Sequence, residues 1–177
     1  MRGRSPTDEQ HPAAFAPRVD RPGIPPSYGA SRATAFVEWS HVEDRLAGDR
    51  VFWLTAVGSD GRPRVRPVDA LYLDGVIYVG GSGETRWVHD VTANPAVSVH
   101  LDGVDEVVLI EGDAEVLTGL DAALAERLAA ASNAKFPEYK MTATFYRRNG
   151  AIAIRVRKVI AWTDITRDPT RFRFDGP

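Results

Sequence analysis

Three Asp-Gly pairs, at 60–61, 74–75 and 102–103, each stand between two short runs rich in apolar and β-branched residues. Asp-Gly favours the left-handed backbone of tight hairpin loops, so the pattern commits the chain from residue 51 onward to antiparallel strands. The strands expected are Val51 to Val57, Arg64 to Tyr72, Val76 to Val79, Ala96 to Leu101, Glu106 to Leu117 and Ala151 to Thr163. Arg171 to Phe174 is a possible short addition. Helices are expected where the apolar period lengthens. One runs from Ser31 to about Gly48, with Ala35, Phe36, Trp39, Val42 and Leu46 on one face. A second spans Thr85 to Asn94, and a third carries Leu117, Leu120, Leu124, Leu128 and Ala131 towards Lys135. Six strands on short hairpins with two or three helices imply a mainly β (α+β) fold, an antiparallel barrel with peripheral helices.

Six of the twelve prolines fall within residues 1–30, where no apolar periodicity exists. That stretch reads as an extended or disordered arm, and residues 31–177 as one domain, long enough to bury a core. A net charge of -2 gives no support to nucleic-acid binding. Without cysteine there are no disulfides or thiolate ligands. No apolar run approaches the roughly 18 residues of a membrane span, and the first residues lack a charged-then-apolar leader pattern. The expected location is therefore the cytoplasm, with no membrane partner. His41, His89 and His100 form no metal-ligand spacing, so no metal site is expected.

Function is most legible between the third strand and the helix that follows it. Gly80-Gly81-Ser82-Gly83-Glu84-Thr85-Arg86 takes the chain from strand into helix. A glycine-rich turn opening a helix presents free backbone N–H groups at the positive end of the helix dipole, a ready site for a phosphate. Thr85 is placed to cap the helix. Arg86, in the first turn, opposes the dipole and so points to a role other than helix stability. A plain flexible turn with a surface arginine is the alternative for this segment alone.

One strand earlier, Arg64-Val65-Arg66-Pro67-Val68 sets two arginines on one face of a strand. Pro67 cannot donate to a ladder, which marks an edge or a bulge. Nineteen of the 22 basic residues are arginine, and no lysine precedes Lys135. An anion site in the first 134 residues must therefore use arginine, whose planar fork matches phosphate. A solvated arginine face is the alternative.

The order of these pieces resembles a known family. FWLTAVGSDGRPRVRPVDALYLDGVIYVGG at 52–81, ETRWVHDVTANPAVSVHL at 84–101 and VVLIEGDAEVL at 107–117 are similar to the pyridoxamine 5'-phosphate oxidase-like superfamily of flavin and deazaflavin oxidoreductases. The tail RVRKVIAWTDITRDPTRFRF at 155–174 fits its last strand, so the resemblance covers about residues 36 to 175.

That resemblance implies a six-stranded split β-barrel acting as a homodimer, with a cofactor groove at the interface. It implies cofactor contacts from Arg64, Val65, Arg66, Pro67 and Val68, and phosphate contacts from Gly80, Gly81, Ser82, Thr85 and Arg86. Trp162 matches an aromatic that lies against the flavin, and Arg171 is a weaker match of the same kind. Trp87 stands where the family often carries a lysine; it removes one charge and offers a ring to stack. The implied activity is hydride transfer between FMN or the deazaflavin coenzyme F-420 and a small organic substrate. The cofactor carries the reactive atom, and no catalytic side chain is implied. A non-catalytic binder or carrier of flavin, deazaflavin or haem on the same fold is the alternative.

Overall fold

The computed structural model describes residues 17–81 and 83–174. Its strands are β1 (Arg18–Asp20), β2 (Val51–Val57), β3 (Pro63–Leu73), β4 (Val76–Val79), β5 (Ala96–Leu101), β6 (Val107–Leu117), β7 (Ala151–Trp162) and β8 (Thr170–Arg173). The α-helices are α1 (Trp39–Gly48), α2 (Arg86–Ala93), α3 (Ala122–Lys135) and α4 (Ala143–Asn149). Antiparallel pairing runs β7-β4-β3-β2-β5-β6 and returns from β6 to β7, closing a six-stranded barrel. The expected fold class holds. At the β3–β4 hairpin both Asp74 and Gly75 have positive φ, 51° and 81°, the backbone that an Asp-Gly loop favours.

Two strands lie outside the ring. β7 lends its first half, Ile152–Arg155, to β4 and its second half, Lys158–Ala161, to β8. β1 then pairs with β8, Arg18 opposite Arg173. A register shift between Glu111 and Gly112 lets β6 bend along β7. A Cβ at Gly112 would sit 2.5 Å from the Arg155 carbonyl oxygen, so glycine is required there.

The alternation of side chains builds two cores. Phe52, Leu54, Ile110 and Ile154 point into the barrel, where α1 adds Val42 and Leu46 and α2 adds Val88 and Val91. On the outer face, Leu71 and Tyr78 are covered by Leu128 of α3, Phe136 and Tyr146 of α4. Among the described residues the rest of the outer face carries no helix. There Trp53, His100, Leu109 and Ile160 follow one another across β2, β5, β6 and β7. Leu109 is 40% exposed, and Val65 on neighbouring β3 is 58% exposed.

Several boundaries differ from the sequence reading. The helix expected from Ser31 begins only at Trp39. Before it, the backbone N–H groups of Thr34 and Ala35 both donate to the Arg167 carbonyl, and that of Val37 donates to Thr170 Oγ1. These long-range bonds hold the segment extended despite its apolar spacing. α3 starts at Ala122, not Leu117, because Leu117 completes β6 and Asp121 caps the helix, accepting from the Leu124 N–H at 2.9 Å. α4 and β1 were not anticipated. β1 falls in the expected Pro-rich arm, of which residues 1–16 lie outside the described residues.

Asp168 organises the β7–β8 connection. It is buried and accepts from the Thr163 N–H (2.8 Å), the Thr163 hydroxyl (2.5 Å), the Asp164 N–H (3.0 Å) and the Arg167 guanidinium (2.9 Å). Burial alone would raise its pKa, but these donors overcome it and hold the carboxyl at about 2. A carboxyl depressed below its unfolded value of about 3.9 stabilises the fold above that pH, and the contribution is lost as pH falls towards 2. Asp168→Asn should therefore be less stable than the parent at neutral pH, with the gap closing between about pH 4 and pH 2. Urea midpoints across that range check this; a gap independent of pH would contradict it.

Candidate functional site

β4 stops at Val79, opposite Ala70 of β3 and Ile152 near the start of β7, whereas β3 continues past it. β3 pairs with β4 only through Ala70–Leu73, while its Pro63–Asp69 half has β2 on one side and, among the described residues, no strand on the other. Pro67 lies in that half, which is the edge its missing donor suggested. The gap opens into a groove of about 780 Å³, within the ~300–1,000 Å³ typical of small-molecule and cofactor sites. One wall is Arg66, Val68, Gly80, Gly81 and Trp87; the other is Phe136, Tyr139, Tyr146 and Arg148.

Arg66 dominates the electrostatics. Its register partner is Leu54, a core residue, so the side chain starts on the inward face. Its Nε is buried and has no hydrogen-bond partner among the described residues. Nη2 reaches only the Arg64 carbonyl, at 3.4 Å. Burial pulls its pKa below the ordinary arginine value; Asp90 opposes this and Arg64 adds to it. A half-buried guanidinium without an ion pair is costly unless a ligand anion completes it.

Trp87 fixes the shape of this wall. The Arg66 guanidinium carbon lies 5.5 Å from the centre of its ring. A Cβ at Gly81 would stand 2.5 Å from Trp87 Cζ2 and 3.0 Å from Ile152 Cδ1, so the ring packs directly on glycine. Gly80 and Gly83 have nothing within 4 Å of a built Cβ, leaving the turn open beside the groove.

The second arginine of the strand does something else. Arg64 donates to Asp60 at 2.6 Å and to the buried Asp90 at 3.4 Å, tying the β2–β3 hairpin to α2. Its guanidinium fills the space where a Gly58 side chain would be, with Nη1 1.6 Å from a built Cβ.

The remaining expected site residues are dispersed. Arg66, Pro67, Val68, Gly80, Gly81 and Trp87 line the groove together. Val65 faces outward. Thr85 takes the N-cap position of α2 without a side-chain capping bond. Arg86 is 71% exposed, 4.0 Å from Asp60, and outside the groove lining. Ser82 lies outside the described residues. Trp162 sits eleven residues along β7 from the groove residue Ala151, roughly 35 Å of strand. Arg171 pairs with Asp20 of β1 at 2.6 Å.

The wall formed by the end of α3 and by α4 was missed in the sequence. Its anchors are Lys135, whose Nζ donates to the Ala70 and Leu46 carbonyls, and Tyr146, 6% exposed. Burial lowers the Lys135 pKa to about 8. The available signal was Thr142, an N-cap accepting from Phe145, followed by the stop at Asn149-Gly150. Among the described residues no cluster of metal-ligating side chains occurs, and no helix is long and apolar enough to cross a membrane.

Comparison with known proteins agrees with this geometry. Residues 39–163 match the sequence family described as pyridoxamine 5'-phosphate oxidase. No curated protein matches the chain. An FAD-binding protein of Mesorhizobium loti shares 22% identity over 77% of this chain and 95% of its own, with a TM-score of 0.56. An F-420 reductase superposes with a TM-score of 0.50 at 18% identity, covering 65% of this chain and 90% of its own. HutZ, the haem storage protein of Vibrio cholerae, gives 0.52 at 14% identity, covering 78% and 90%. At such identities these likenesses establish the fold.

The packing of Trp87 on Gly81 has a direct consequence. Gly81→Ala must push the indole away from its seat, costing about 1–3 kcal/mol as in other overpacked sites. It should also change the Trp87 emission, identified by its absence in Trp87→Phe. Gly80→Ala, which meets nothing, should alter neither urea midpoint nor fluorescence. Equal behaviour of the two variants would show that the ring does not rest on this glycine.

Proposed function

The chain belongs to the pyridoxamine 5'-phosphate oxidase family, and from its groove we propose an oxidoreductase that passes hydride between a bound flavin-type cofactor, FMN or coenzyme F-420, and a small organic substrate. The observation that carries this reading is the buried, unpartnered Nε of Arg66 beside an open glycine turn. The residues present suit such a group: a donor lacking an acceptor, a turn that admits an anion, and an apolar wall of Phe136, Tyr139 and Tyr146 for a ring system. When bound, the cofactor supplies the hydride-accepting or hydride-donating ring.

In this reading Arg66 and the Gly80–Gly83 turn hold the phosphate, Trp87 fixes the Arg66 fork and shields it from water, and Pro67 and Val68 border the ring. Arg86 acts at longer range from its exposed position. The chain works as a homodimer in the cytoplasm. Support for the dimer comes from the uncovered outer face around Val65, Trp53 and Leu109, an apolar patch of the kind that marks an interface. Trp162 and Arg171, remote from their own groove, contribute to a cofactor site only across such a dimer.

A carrier without catalysis is the second reading, and a haem storage protein shares the fold. For haem, the described groove lining offers tyrosines and Met141 but no histidine or cysteine.

Titration separates these. The parent protein should bind FMN, and Arg66→Gln should weaken it by about ten- to a hundred-fold, the effect of removing a hydrogen bond to a charged group. Arg86→Ala should cost less, and riboflavin, which lacks the phosphate, should be indifferent to both changes. Equal losses for FMN and riboflavin would contradict the phosphate role of Arg66. Turnover of the reduced cofactor with added acceptors then distinguishes enzyme from carrier.

A further inference from the structure

The α2 side of the anion site holds one groove-lining cation, Arg66, because position 87 is tryptophan and Arg64 is engaged with Asp60 and Asp90. We propose that the second cation comes from the opposite wall: Arg148, in the last turn of α4, closes on the same phosphate group. The inference rests on the cofactor reading above and adds to it a binding residue outside both sequence segments that suggested the site.

Register places Arg148 there. The last β4–β7 pair is Val79 opposite Ile152. Beyond that pair the chain leaves β4 through Gly80 and Gly81 and enters β7 through Gly150 and Ala151, all four of which line the groove. The final turn of α4 therefore faces the glycine turn, and Arg148, Gly150 and Ala151 line the groove with Gly80, Gly81 and Gly83.

The corner carrying Arg148 is rigid. Gly150 has φ 73° and ψ −163°, a region open essentially only to glycine. A Cβ there would lie 2.0 Å from the Leu117 carbonyl oxygen. Its N–H donates to the Tyr146 carbonyl at 2.8 Å, and Tyr146 is buried. The helix end is thus locked against β6 and β7, and the direction of its last turn is set by the fold.

Arg148 is also uncommitted. Arg155 is paired with Glu115, Arg157 with Asp113 and Arg127 with Asp74. Arg148 makes no ion pair or hydrogen bond among the described residues. A cation in the last turn suits the helix dipole, and Arg147 stands in the same turn. Arg147 borders a separate hollow beside Gly119 and Thr144, and only Arg148 borders both that hollow and the groove. Two guanidinium forks on opposite walls form a clamp for one tetrahedral anion. The anion is the cofactor's phosphate ester.

The test uses the full-length protein with Arg148→Gln, Arg148→Lys and, as control, Arg147→Gln. Arg148→Gln should weaken FMN roughly tenfold or more and leave riboflavin unchanged; Arg148→Lys should recover part of the loss; Arg147→Gln should be silent. Unchanged FMN affinity, or equal losses for FMN and riboflavin, overturns the role of Arg148 while leaving that of Arg66 standing. If the parent binds neither a flavin nor F-420, the cofactor reading fails, and inorganic pyrophosphate followed by Trp87 fluorescence becomes the probe. Loss of that signal in Arg148→Gln upholds the clamp, and an unaltered signal overturns it. Where FMN binds, it should compete with pyrophosphate; pyrophosphate that still binds in an Arg148-dependent way with FMN in place would overturn the assignment of Arg148 to the cofactor's phosphate.

Discussion

β4 is four residues long, and the groove exists because it ends where it does. Its neighbour β3 is eleven residues long, so four residues of pairing leave the Pro63–Asp69 half of β3 unmatched on that side. The exposed half of β3 then holds Arg66 at a position that in a fully paired barrel would face only core side chains such as Leu54. A cation is tolerated there because the strand beside it is missing. The glycine turn leaving β4, Trp87 packed on Gly81, and the α4 corner at Gly150 all edge the same gap.

Within that gap the two arginines of β3 have diverged by partner, not by residue type. Arg64 meets two carboxylates and ties the hairpin to α2, whereas Arg66, two residues on and on the same face, meets an indole ring and one carbonyl. An ion pair with a buried carboxylate commits Arg64 to the frame, because removing it would leave the Asp90 charge buried and uncompensated. A half-buried guanidinium whose Nε lacks a partner is a binding element in waiting, since its desolvation is already in place and an incoming anion meets little reorganisation. The fold itself prescribes no chemistry; the case for a phosphorylated cofactor lies in this one side chain and the open turn beside it.

Much of this was legible in the sequence. The Asp-Gly turns and alternating strands gave the barrel and Pro67 pointed to the open edge, while of the run from Gly80 to Trp87 only Gly80, Gly81, Gly83 and Trp87 line the groove among the described residues. What escaped depends on distant parts of the chain. No local pattern shows that Arg64 rather than Arg66 meets Asp90, 26 residues away. Thr34 and Ala35 look helical until the Arg167 carbonyl claims their N–H groups. β1 is three residues long and owes its existence to β8 at the other end of the chain. α4, at seven residues, is too short for an apolar period to register, and with it went Arg148 and the aromatic wall.

A crystal structure of the protein grown with FMN, or with F-420 where that binds more tightly, tests the central claim most directly. The account predicts the cofactor in the groove, with a phosphate oxygen within about 3.2 Å of Arg66 Nε and the turn from Gly80 to Gly83 against it. A cofactor bound elsewhere, or one seated in the groove with its phosphate turned away and Arg66 Nε still unpartnered, would contradict it.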